Sequence, residues 1–199
     1  MLQHSLYFNR CQTLPKKDMK HIYLLILFIS SSLSFSQKKD IKWLENSRLT
    51  WQNFKGIPEE KSEGKAKTTY QIEIVPANVQ IDEFGNIINY KKIHTIALFK
   101  TEKSWSKEKK EDSYLLKHEQ LHFDIAELFC RKINLKFREL QSNNIKNFDT
   151  YQNAYSSLWN ECRKYQKEYD FETYHVFFKD TNNEWILKIK SELNNITIK

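Results

Sequence analysis

Glycine and proline are scarce, with three of each in 199 residues. That is too few for a flexible linker, and no segment repeats, so the chain reads as one folded unit after its leader. Charge of one sign is not gathered into a block. The 32 basic and 25 acidic side chains are interspersed, which gives no case for nucleic acid binding. No apolar run reaches the ~20 residues that comfortably cross a bilayer. Cysteine is also rare, and its three positions are Cys11, Cys130 and Cys162.

The N-terminus instead carries a targeting pattern. Lys16, Lys17 and Lys20 precede the apolar run from Ile22 to Ile29, and Ser34 and Ser36 stand at the small-residue positions of a cleavage site. The sequence predicts a signal peptide that opens at Met19 and is cut after Ser36, residues 1–18 being an over-extended start. A single domain over 37–199 is then expected in the periplasm or outside the cell. Cys11 precedes the apolar run, so no lipid-bearing cysteine follows the signal and no stable membrane anchor remains after cleavage. Residues 1–36 carry Arg10, Lys16, Lys17 and Lys20 against Asp18, so their removal lowers the net charge from +7 to +4. Cys130 and Cys162 are left either to pair in an oxidising compartment or to stay as buried thiols.

Residues 38–60 read as an irregular lead-in carrying Trp43, Trp51 and Phe54, broken by Gly56 and Pro58. Thr68 to Val75 alternates and is rich in β-branched and aromatic residues, which predicts a strand ended by Pro76. Val79–Ile81 is a second short candidate, residues 82–86 are a turn, and Ile87–Tyr90 and Ile93–Phe99 continue the sheet. His94 lies on that last strand as a lone candidate ligand. A long helix is expected from Asp112 or Ser113, with the stripe Leu115, His118, His122, Ala126, Phe129, Ile133, Phe137 and Leu140; Ser142-Asn143-Asn144 stops it. A second helix carries Phe148, Tyr151, Tyr155, Leu158, Cys162, Tyr165 and Tyr169, packing antiparallel on the first. A weaker amphipathic helix surrounds Trp185, Ile186, Ile189 and Leu193. The fold class is α+β.

The chemistry sits in His118-Glu119-Gln120-Leu121-His122, an H-E-x-x-H motif within the first long helix. Helix positions four apart lie one above the other, so both imidazoles project from one face, as two nitrogen ligands of one zinc ion require. Glu119 has the position of a base that takes a proton from the attacking water. A catalytic zinc needs a third protein ligand, and the cluster from Tyr169 to His175 is the best source. His175 is the first candidate, Glu172 the next and Asp170 the third.

Four motifs then occur in a telling order: Trp51-Gln52-Asn53-Phe54-Lys55-Gly56, Ser104-Trp105, Leu116 to Glu127 around the histidines, and Tyr169-Asp170-Phe171-Glu172-Thr173-Tyr174-His175. Together they resemble the bacterial family described as predicted secreted zinc-dependent proteases, over roughly Leu49 to His175. The family usually has glycine after the last histidine; here Val176 follows it. The resemblance implies a zincin-like fold, His118 and His122 as ligands and Glu119 as general base. It also suggests Asp124 or Glu127 as the group that orients an imidazole, with Glu127 a further alternative third ligand and Asp170 a supporting residue. Tyr169 or Tyr174 would donate to the oxyanion.

The expected protein is therefore a secreted or periplasmic zinc metallopeptidase acting on a protein or peptide. The strand through Ile96 and Phe99 is expected to align that substrate by edge pairing. Two other classes stand beside it: a zinc-binding envelope protein without catalysis, and a metal-free helical binding module.

Overall fold

The computed structural model describes residues 40–107, 113–173 and 179–196. The signal-peptide region and His175 lie outside them. The strands are β1 (Ile41–Lys42), β2 (Ala66–Lys67), β3 (Tyr70–Val75), β4 (His94–Phe99) and β5 (Trp105–Ser106). Three helices follow: α1 (Ser113–Ser142), α2 (Phe148–Thr173) and α3 (Lys179–Asn195). The fold is α+β, with a small antiparallel sheet followed by helices. None of the described helices is long and apolar enough to cross a membrane.

The main sheet has the order β1-β4-β3, antiparallel throughout, with Ile72 opposite Ala97 and Tyr70 opposite Phe99. β4 is therefore the central strand, which corrects the expectation that it offers a free edge. Trp43 N–H donates to Ala97 O at 3.0 Å, extending the β1 side. Further along, the Asn134 amide accepts from Thr95 N–H at 2.6 Å and donates to Thr95 O at 2.9 Å, so a helix side chain completes the ladder. β3 is the edge strand on the other side, and Tyr155 of α2 donates to its Ile72 O at 2.7 Å.

The strands expected at Val79–Ile81 and Ile87–Tyr90 do not form; a single bridge joins Ile81 to Ile87. The Asp82 carboxylate accepts from Phe84 and Asn86 N–H at 3.0 and 2.8 Å, curling the tip into a turn. Asn89 adopts a left-handed φ of 61°, and Tyr90–Lys92 coil into a 3-10 turn. Apolar alternation here could not outweigh this local turn chemistry.

The separated tryptophan motifs meet in space. Trp51 packs on Phe54 and Phe54 on Phe99, with ring centroids 5.0 and 5.1 Å apart. Gly56 N–H donates to Ser104 O at 2.8 Å, and a Cβ on Gly56 would lie 2.8 Å from that oxygen. Only glycine permits this approach without a shift. Ser104-Trp105 enters β5, which pairs with β2 in a second, two-stranded sheet.

α1 runs for 30 residues without glycine or proline. It was expected to bury one stripe, but Leu121, Phe123, Ile125, Ala126, Leu128, Phe129 and Cys130 are all buried. They cover the whole girth because the sheet packs on one side and α2 and α3 on the other. Phe99 meets Phe123 at 5.8 Å on the sheet side, and Phe129 meets Tyr165 at 5.7 Å on the helix side. α1 ends as expected: Ile145 N–H reaches back to Leu140 O at 2.9 Å, with Asn144 at a left-handed φ of 56°. Asn147 then caps α2 by accepting from Thr150 N–H at 3.0 Å. The contacts Phe137–Tyr151, Phe129–Tyr165, His122–Gln166 and His118–Thr173 run in opposite directions along the two helices, so α2 returns antiparallel to α1.

Cys130 and Cys162 are buried and free. Burial pushes each thiol up to about 12, which leaves both protonated and inert at neutral pH.

Candidate metal centre

The first turns of α1 carry His118 and His122 on the face met by the last turns of α2. Their Nε2 atoms are 3.1 Å apart. Asp170 Oδ1 lies 3.0 Å from His122 Nε2 and 3.5 Å from His118 Nε2, closing a triangle of three donor atoms. A zinc ion held tetrahedrally at about 2.0–2.1 Å keeps its ligand atoms roughly 3.4 Å apart. The triangle has the size of one face of that tetrahedron.

The other ring nitrogens fix which way the lone pairs point. Gln166 donates its amide N–H to His122 O at 2.8 Å, which turns Oε1 toward His122 Nδ1 at 2.5 Å. A carbonyl oxygen only accepts, so His122 Nδ1 bears the hydrogen. Thr173 gives its hydroxyl hydrogen to Tyr169 O at 2.6 Å, so its lone pair faces His118 Nδ1 at 3.4 Å. With each Nδ1 engaged, both imidazoles turn their Nε2 atoms to one point, together with a carboxylate oxygen. Three lone pairs converging at this distance repel unless a cation lies among them. This donor set fits a zinc ion.

The same cluster favours positive charge. Burial pushes His122 down, but the hydrogen bond and charge of Asp170, with the charge of Glu119, outweigh it and the pKa is raised. Burial pushes Asp170 up, and the two imidazoles reverse this, holding it well below the usual carboxylate range.

Tyr169 closes the inner side. It is fully buried, and its ring stacks on His118 at 4.6 Å and meets His122 edge-on at 5.0 Å. Its hydroxyl donates to Asn182 of α3 at 2.5 Å, so it braces the interior and does not serve as the expected oxyanion donor. Glu119 is 3 % exposed, and its Oε2 has no hydrogen-bond partner among the described residues. Thr68 of the β2–β3 junction holds the helix here by donating to Glu119 O at 3.1 Å.

The remaining candidates lie elsewhere. Glu172 accepts from Trp185 Nε1 at 2.7 Å, which engages it with α3. Glu127 pairs with Arg131 at 2.8 Å, one turn further along α1. Asp124 accepts from Trp43 Nε1 at 2.7 Å and Gln120 Nε2 at 2.8 Å, with Arg48 at 3.3 Å. It clamps the lead-in onto α1 and makes no bond to an imidazole. Burial raises Asp124, against the pull of those three partners. His94 is exposed on β4 and donates through Nδ1 to Lys92 O at 3.0 Å.

Asp170, which ranked third as a ligand, is thus the residue brought to the histidines. Gln166 and Thr173 were missed. Their signal was present: both are polar residues on the buried face of α2, in step with Cys162 and Tyr169.

No family model matches the chain, nor does any curated protein or solved structure. The likeness to secreted zinc-dependent proteases accordingly stays a likeness of motifs.

Proposed function

We propose that the protein is a secreted or periplasmic zinc-dependent hydrolase, a metallopeptidase, whose metal is held by His118, His122 and Asp170. The observation that carries this reading is the convergence of two Nε2 atoms and a carboxylate oxygen, with the buried Glu119, whose Oε2 has no hydrogen-bond partner among the described residues, acting by its charge on His122. Zinc in such a site supplies a Lewis acid that polarises a carbonyl and lowers the pKa of water to about 7. Glu119 accepts the proton of the attacking water and delivers it to the leaving amine. Gln166 and Thr173 hold the imidazoles in the required tautomer, and Tyr169 keeps them from turning.

An extended substrate is favoured by the sheet. The outer edge of β3 begins next to the site, since Thr68 bonds to Glu119 and the Asp170 charge acts on the Tyr70 hydroxyl. A peptide laid along that edge gains backbone hydrogen bonds and leads its carbonyl toward Glu119. Tyr155, which donates to Ile72 O at 2.7 Å, must yield at that position. The secreted location rests on residues 1–36 alone.

The test is hydrolysis of an unfolded protein substrate by the wild type and Glu119→Gln, both loaded with zinc. The variant is expected to keep its zinc and lose activity by at least about a hundredfold. Unchanged hydrolysis would refute the role of Glu119.

A further inference from the structure

On its sheet side, from Glu127 onward, α1 forms one wall of a cavity of about 510 Å³. That volume lies in the range of small-molecule sites, about 300–1,000 Å³. The lining residues of α1 begin at Glu127, five positions or ~7.5 Å along the helix beyond His122. They share the cavity with Thr95 and Ala97 of the sheet, whereas the histidines face α2. Trp43, 8 % exposed, contributes an apolar wall. Lys42 of β1, Lys91 and Lys92 of the 3-10 turn and Arg138 of α1 line the cavity with positive charge. Among the described lining residues Glu127 is the one acid; Arg131 pairs with it at 2.8 Å, and the Lys42 charge also acts on it.

Lysines brought to one concavity from two elements repel each other, and the low-dielectric walls strengthen that repulsion. The fold holds them there with dedicated bonds. Gln141 Nε2 donates to Tyr90 O at 2.9 Å and Ile93 O at 2.8 Å, which pins the turn carrying Lys91 and Lys92. Asn134 fixes Thr95 beside it. Arg131 lies over the Trp43 ring at 5.2 Å and holds that wall.

From this we infer that the cavity binds a small organic anion with at least two negative charges, as carboxylates or a phosphate, on a compact apolar body. The charges meet Lys42, Lys91 and Lys92, and the body packs on Trp43. This site does not depend on the metal.

The test is calorimetric titration of the protein with citrate, phenyl phosphate and inorganic phosphate. Saturable binding of citrate or phenyl phosphate is expected with Kd below about 1 mM, and their ranking tells carboxylate from phosphate. Lys91→Glu/Lys92→Glu should weaken binding at least about tenfold. Lys103→Glu/Lys190→Glu, which changes net charge equally at two exposed positions, should leave it within about twofold. Asp170→Asn should bind the anion as the wild type does. The inference is overturned if no probe saturates, if both double variants weaken binding alike, or if Asp170→Asn abolishes it.

Discussion

Each imidazole of the motif has one nitrogen tied to α2 and the other turned to the same point, so small changes behind the rings should reach the proposed metal. Gln166→Leu removes the acceptor from His122 Nδ1, and zinc affinity should fall about 10–100-fold by chelator competition. Thr173→Val should cost less, because its contact to His118 is the longer one at 3.4 Å. The protonation of the cluster sets a further expectation. A raised His122 stabilises the metal-free fold below pH 6.5, and that contribution is lost as pH climbs through the folded-state value. A depressed Asp170 contributes above about pH 3.8 and fails as pH falls through its folded value. The metal-free protein should therefore melt higher at pH 5.5 than at pH 8, and added zinc should reverse that order by scanning calorimetry. A metal-free Tm that rises from pH 5.5 to pH 8 would contradict the cluster's preference for positive charge.

Among elements, α1 dominates because sheet and helices enclose its middle. Leu128→Ala leaves a cavity in that enclosure and should cost about 2–5 kcal/mol in urea unfolding. Gly56→Ala should cost about 1–3 kcal/mol by driving a Cβ against Ser104 O, although the residue is far from α1 in sequence. The long helices were legible because 3.6-residue periodicity is local and neither contains glycine or proline. His118, Glu119 and His122 were legible for the same reason, being fixed by one helix. Asp170 was ranked behind His175 and Glu172 because the third ligand depends on how α2 is rotated against α1. The sequence spacing of one helix does not set that angle. The phase shows in Gln166, Asp170 and Thr173, which line up toward α1, while Glu172 turns to Trp185. The central place of β4 was illegible too, since a two-residue β1 and the Asn134 side chain together occupy its far edge.

For the molecule as a whole, the proposed metal ties the N-terminal end of α1 to the C-terminal end of α2, so zinc binding would stabilise the fold as well as arm the site. The basic cavity lies on the sheet side of α1 from Glu127 onward, so the two sites should be separable by mutation. Elemental analysis of residues 37–199, purified without a His tag, tests the central claim most directly when set beside His118→Ala, Asp170→Asn and His175→Ala. The account predicts one zinc per wild-type chain, retained in His175→Ala and lost or sharply reduced in the other two. Zinc that survives Asp170→Asn but leaves with His175→Ala, or no zinc in the wild type after it is supplied, would contradict it.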